Sequence, residues 1–206
     1  MKRSIFVTAL IAIMFMVGKT QAQIGFQAGY APQTLTVTTS GTDFVATRFQ
    51  GYFAGINYTY NIFGNMAFTA AAQIRLNSAN TKGAVYNILD WQFIADVPLL
   101  LSYAYPVNQD FKVGAFAGPL FSYGITYRQK QTDPETFEVL TTNDLYTTKL
   151  QALGRKRLEM NAMAGLVFQY KSFMLFGGYR LGLNDLDKMD NATTKVKGFF
   201  VGIGMN

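Results

Sequence analysis

The chain has 206 residues, with 18 basic and 12 acidic side chains and neither cysteine nor histidine. The missing cysteine excludes a disulfide framework, thiolate metal sites and a lipid-modified N-terminal Cys, and the missing histidine removes the commonest metal ligand and the usual base for nucleophilic catalysis near neutral pH. The formal charge of +6 falls to +3, 15 basic against 12 acidic, once a leader carrying Lys2, Arg3 and Lys19 is set aside, which is too mild to imply a nucleic-acid partner.

Lys2 and Arg3 precede an apolar run from Ile5 to Val17, followed by Gly18-Lys-Thr-Gln-Ala22 with small residues where a signal peptidase reads. The run covers about 13 residues, short of the roughly 20 that a spanning helix needs. Residues 1–22 therefore read as a cleaved export signal and residues 23–206 as one domain. Beyond the leader no apolar run approaches helix-spanning length, so a membrane position would have to be reached with strands closed into a barrel.

Strict two-residue alternation predicts eight strands: Ile24–Ala31, Phe49–Asn61, Met66–Asn77, Asp90–Tyr105, Phe111–Tyr127, Leu158–Tyr170, Phe173–Asn184 and Lys195–Met205. The third shows the pattern best: Met66, Phe68, Ala70, Ala72, Ile74 and Leu76 share one face, and Ala67, Thr69, Ala71, Gln73, Arg75 and Asn77 the other. Several of these strands reach the roughly 9 to 11 residues needed to cross a hydrocarbon layer at a tilt. Their connections are expected to alternate, long at 32–48, 78–89, 128–157 and 185–194, and short at 62–65, 106–110 and 171–172. Outer-membrane barrels sort their loops this way, whereas a soluble barrel has no reason to do so. The expected architecture is an all-β, eight-stranded antiparallel up-and-down transmembrane β-barrel.

On the fourth strand Val97, Leu99, Leu101, Tyr103 and Tyr105 are expected to face lipid, with Asp90, Gln92, Asp96, Pro98 and Ser102 inward. On the fifth the lipid set runs from Val113 through alternate residues to Tyr127, and the inward set mixes Gly114, Gly118 and Gly124 with Phe116 and Leu120. A narrow lumen requires such a mixture. Tyr58, Tyr60, Tyr103, Tyr105, Tyr123, Tyr127 and Tyr170 gather at strand ends, as an interfacial girdle would.

The inward register collects Arg75, Lys112 and Arg180 against Asp90, Asp96 and Glu159. Buried charges must be paired, so these are expected to form an ionic network with Asn57, Gln73, Asn161 and Asn184 that fills the lumen and carries no current. The connection 128–157 is the expected working surface for a protein partner, and its foot, Arg155-Lys156-Arg157, suits the phosphates of lipopolysaccharide. No catalytic, cofactor or metal site is expected, and Asp185-Leu-Asp187-Lys-Met-Asp190 lacks the Gly of a calcium loop.

Asp96-Val-Pro-Leu-Leu-Leu-Ser-Tyr103, Gly114-Ala-Phe-Ala-Gly-Pro-Leu-Phe121 and Tyr179-Arg-Leu-Gly-Leu-Asn-Asp-Leu186 together resemble the PorT-like outer-membrane β-barrel family. The resemblance implies an eight-stranded barrel in the Gram-negative outer membrane, and a role in secretion only through the family's namesake, which assists export of proteases. The terminal Gly202-Ile-Gly-Met-Asn206 departs from it in lacking a final aromatic residue. The leading functional reading is thus a monomeric, non-enzymatic outer-membrane protein, structural, adhesive or accessory to assembly, working through its external loops in contact with lipid and lipopolysaccharide. The rivals are a secreted soluble barrel around a small apolar ligand and a lipid-modifying enzyme.

Overall fold

The computed structural model describes residues 22–39, 42–83, 85–136, 138–147, 154–187 and 192–205. The expected export signal lies outside these residues except for Ala22. Ten antiparallel strands and no helix make up the described chain: β1 (Ala22–Tyr30), β2 (Gln33–Thr39), β3 (Thr42–Phe63), β4 (Met66–Thr81), β5 (Asn87–Pro106), β6 (Phe111–Thr132), β7 (Val139–Asp144), β8 (Leu158–Tyr170), β9 (Phe173–Gly182) and β10 (Ala192–Met205). β1 and β2 both pair with β3 on one side and β10 on the other, so they form a single stave interrupted at Pro32, which has no N–H to give the ladder. β7 pairs with β6 alone, beyond the barrel wall. The remaining neighbours run β3-β4-β5-β6-β8-β9-β10 and close on the first stave, giving eight staves.

One end of the barrel carries three tight turns and both ends of the described chain. The turns at Gly64 and Lys171 use positive φ, 54° and 52° respectively. The other, the loop end, extends further than the sequence pattern suggests. Two connections expected to be loops are largely strand, with residues 33–39 and 42–48 forming β2 and the start of β3, and residues 78–81 and 87–89 belonging to β4 and β5; part of 128–157 is the β6–β7 hairpin. Gln33–Thr39 does alternate, with Leu35 and Val37 set between threonines, but two apolar residues directly after Pro32 are a weak strand signal. The first connection is therefore no longer than the turns, and the expected alternation of connection lengths fails there. β3 and β6 each reach 22 residues and β5 reaches 20. At a rise of about 3.4 Å and a tilt near 40°, a band roughly 25 Å tall takes only about ten residues. The longest strands overshoot it by about as much again.

Side-chain phase follows the expected faces along β4 and β5. Ile74, Leu76, Val97, Leu101, Tyr103 and Tyr105 are exposed, while Arg75, Asn77, Gln92 and Asp96 are buried in the lumen. An apolar exterior of this kind does not suit a soluble barrel. Phase changes once on β6, where Thr126 pairs with Phe93 but Gly124 with Ile94, leaving Ile125 as an extra residue. Tyr127, expected in the outer girdle, consequently points inward and is 4% exposed. Three inward aromatics lie directly over glycines of neighbouring staves: a Cβ at Gly29, Gly165 or Gly202 would stand 2.6, 2.7 and 2.6 Å from the tip of Phe53, Phe116 and Phe176 respectively. The alternation of glycine and ring in the sequence is thus the way this lumen seats its aromatics.

The register yields an ordered test. Leu101→Arg, in the exterior band, should lower stability by about 2 to 4 kcal/mol, whereas Leu100→Arg, which faces the lumen cavity, should cost less than half as much. Urea titration of the barrel in lipid vesicles measures both, and equal losses would contradict the assigned faces.

Candidate functional site

Midway along the lumen, Arg75 of β4 reaches diagonally to Asp96 of β5, whose partner in the ladder is Gln73, and both are essentially without solvent exposure. Arg75 Nε donates to Asp96 Oδ2 at 2.7 Å and Nη2 to Oδ1 at 3.1 Å, a two-pronged pair that satisfies the planar guanidinium and holds it in one orientation. The remaining Nη1 donates to Gln33 Oε1 on β2. That same oxygen accepts from Arg180 Nη2 of β9 at 2.8 Å, and Gln33 Nε2 donates to Gln92 Oε1 at 3.0 Å, which also accepts from Asn77 at 2.9 Å. Gln33 is therefore the hub that ties four staves across the lumen. Sequence reasoning missed it because it stands in a segment read as loop.

The predicted charges do not all meet. Arg75, Asp96, Arg180 and Glu159 share the middle layer, although Glu159 accepts from Asn161 at 2.8 Å rather than from either arginine. Asp90 sits higher, accepting from Gln129 at 3.1 Å, and Lys112 is exposed at the turn end, in the lining of the cavity below. Asn184 belongs to the loop end, where its amide holds β8 through the Met160 N–H and the Leu158 carbonyl. Asn57 lines the cavity.

Above the polar layer the lumen is closed by apolar packing. Leu35, Phe49, Ala79, Tyr127 and Val196 from the wall receive Leu145 and Leu186 from two loops, with Tyr146 packed against them. Phe49 and Tyr146 each meet Tyr127 edge to face, at centroid distances of 6.1 and 5.8 Å. Tyr146 occupies the space beside Gly124, where any side chain would collide with its ring.

The basic triplet fastens this cap. Arg155 Nη1 lies 2.7 Å from Asp187 Oδ2, which also accepts from Thr194 Oγ1 at 3.0 Å. Arg157 donates to the carbonyls of Gly124 and Ile125 at 3.1 and 3.0 Å and lies over the Tyr146 ring. Lys156 remains half exposed, 3.4 Å from Asp185. The Asp185 carboxyl loses some hydration by partial burial, but this is outweighed by the N–H groups of Asp187 and Thr194, which donate to it at 2.9 and 2.7 Å, and by Lys156, so its pKa is held below the ordinary carboxylate range. Burial, more than the nearby Glu159, raises the pKa of the Tyr146 hydroxyl, which keeps it neutral within the cap.

Below the polar layer, toward the turns, the lumen is hollow. A cavity of about 260 Å³ runs from Arg75 and Arg180 to Gly64, Asn65 and Lys112. The expectation of a filled lumen therefore holds only for the loop half. Inward residues there are large or tied into the network, whereas Ala67 and Ala104 leave space in the turn half.

A closed sheet of eight staves, with an apolar exterior and a polar, plugged interior, decides the class of this protein. Its fold is that of an outer-membrane β-barrel. No protein-family model and no curated protein matches the sequence. Among solved structures the chain is similar to Ail, the attachment invasion locus protein of Yersinia pestis, in complex with the heparin analogue sucrose octasulfate, at 13% identity and a TM-score of 0.48 over 90% of this chain and 99% of that one. Neisserial surface protein A gives 13% identity and a TM-score of 0.43, covering 90% of this chain and 99% of its own. The outer membrane protein OprG from Pseudomonas aeruginosa gives 13% and 0.45, covering 91% and 96% respectively.

Two outcomes follow from the site's electrostatics. Arg75→Ala should destabilise the barrel by about 3 to 5 kcal/mol by stranding a buried Asp96, and Arg75→Met combined with Asp96→Leu should recover part of the loss; urea midpoints of the three proteins decide this. Because the pKa of Asp185 is depressed on folding, its contribution to loop docking is complete above an ordinary carboxylate pKa near 4 and is lost as pH falls through the depressed value. Hydrogen-exchange protection of the Asp187 and Thr194 amides should therefore fall in acid, and Asp185→Asn should flatten that dependence.

Proposed function

We propose that this is a non-enzymatic outer-membrane surface protein that anchors a rigid β-platform outside the cell and engages a partner there, in an adhesive or assembly-accessory role. The observation that carries the reading is the overshoot of β3, β5 and β6 beyond the apolar band, together with the cap that seals the lumen at the same end. A protein built to conduct would leave that end open. Here Leu145 and Leu186 are drawn into it, and strand pairing is extended outward instead.

In this reading residues 1–22 direct export and are removed, and the turns and chain ends lie in the periplasm, as an even stave count requires. The β6–β7 hairpin is the partner-facing element of the 128–157 segment. Lipopolysaccharide phosphate is met at the Arg155-Lys156-Arg157 foot, chiefly through Lys156, since both arginines already hold the cap. Membership of the PorT-like family rests on the three motifs in β5, in β6 and at the end of β9. The Arg75, Asp96, Glu159 and Arg180 layer serves as structural cement rather than as a conduction path.

Epitope tags test the topology. A tag at Glu135, between β6 and β7, should be labelled on intact cells, whereas one at Asn108 should be labelled only after the outer membrane is permeabilised. The reverse pattern would invert the orientation and remove the proposed platform from the cell surface. In planar bilayers the monomer should show no sustained stepwise conductance.

A further inference from the structure

The cavity in the turn half has a chemistry of its own. Its floor is Arg180, 2% exposed, whose Nη2 donates to the Ala31 carbonyl at 3.2 Å and to Gln33, while its Nε has no hydrogen-bond partner. Among the described residues no carboxylate pairs with it: Asp96 is taken by Arg75, and Glu159 turns to Asn161. A buried guanidinium facing a cavity without a contacting anion is incomplete. Asn57, also 2% exposed and in the cavity wall, has a partner for neither amide atom.

Between floor and mouth one side of the wall is apolar, formed by Leu100, Phe116, Met163, Phe176 and Phe200, facing polar Asn57, Thr69 and Gln73, and the mouth carries Gln23, Gln27, Lys112 and Gln169. The charged groups lining the space are Arg75, Lys112 and Arg180 against Asp96 alone, an excess of positive charge. We infer that this cavity binds a single-chain carboxylate amphiphile, its carboxylate accepting hydrogen bonds from Arg180 and its alkyl chain lying along the aromatic wall toward the mouth. A neutral alcohol of the same length leaves the guanidinium unpaired, and an alkylammonium is repelled by it. An apolar cavity of about 150 Å³ takes benzene, so the volume here suits about ten heavy atoms, the size of octanoate. Entry from the periplasm rests on the orientation proposed above; the binding itself does not.

Carboxyl-¹³C octanoate titrated into the barrel in zwitterionic nanodiscs, and read by the shift of its carboxyl carbon, tests the site. Saturable binding is expected, weakened at least about tenfold in Arg180→Met by loss of a charge-assisted hydrogen bond. It should be abolished in Ala67→Phe, which fills the mouth without touching the floor. Competition by unlabelled octanoate should exceed that by octan-1-ol or octylamine by a similar factor. If Arg180→Met does not fold, the Ala67→Phe protein and the competition series decide alone. Absence of saturable binding, equal competition by octan-1-ol, or unchanged binding in Ala67→Phe would overturn the assignment, while leaving the tag-labelling result untouched.

Discussion

Closure of the backbone ladder around a narrow lumen is the constraint on which the rest of this structure depends. Eight staves leave no unpaired edge in the wall, which is what allows strands to stand in hydrocarbon, but they also force inward side chains from opposite walls into one another's space. Two solutions coexist. Where the inward residues are aromatic, glycines on neighbouring staves make room, as Gly165 does for Phe116 and Gly202 for Phe176. Where they are charged, partners have to come from inside the barrel, and Arg75 finds one fully in Asp96 while Arg180 has only neutral acceptors.

The middle layer then divides the molecule into two unlike halves. Toward the loops the lumen is closed, because Leu145 and Leu186 are pulled inward by their own packing and held there by Arg155 on Asp187 and by Arg157 on the Gly124 and Ile125 carbonyls. The cap is thus a salt-bridged lid over an apolar plug, with its basic residues turned to internal use. Toward the turns small inward residues leave a cavity, and the same arginine-rich layer that supports the cap becomes its floor. Gln33 joins the halves, since its single side chain accepts from both arginines and donates upward to Gln92.

Much of this was legible in the residues themselves. Alternation along Met66–Asn77 and Asp90–Tyr105 determined both the strands and their lipid-facing sides, because a pleated strand allows only two faces and a polar residue on the wrong one would be stranded in hydrocarbon. Leu158–Tyr170 was readable to its last residue. The charged inward set was legible for the same reason, as was the need for its members to be paired.

Partners and depth could not be read that way. Which acid meets Arg75, why Arg180 meets none, and why Lys112 and Asn184 lie at opposite ends all depend on the stagger between staves, a property of the closed sheet and of no single strand. The bulge at Ile125 turned Tyr127 from lipid to plug by adding one residue to a ladder, and nothing local in the chain marks it. Pro32 looked like the start of a loop, yet pairing on both sides carries the strand past it. The sequence by itself therefore determined the class of fold, its faces and its stock of lumen charges, since these follow from chain-local alternation. The cap, the hub at Gln33 and the hollow beneath it were decided only when eight staves closed, because each depends on residues far apart in the chain arriving at the same height.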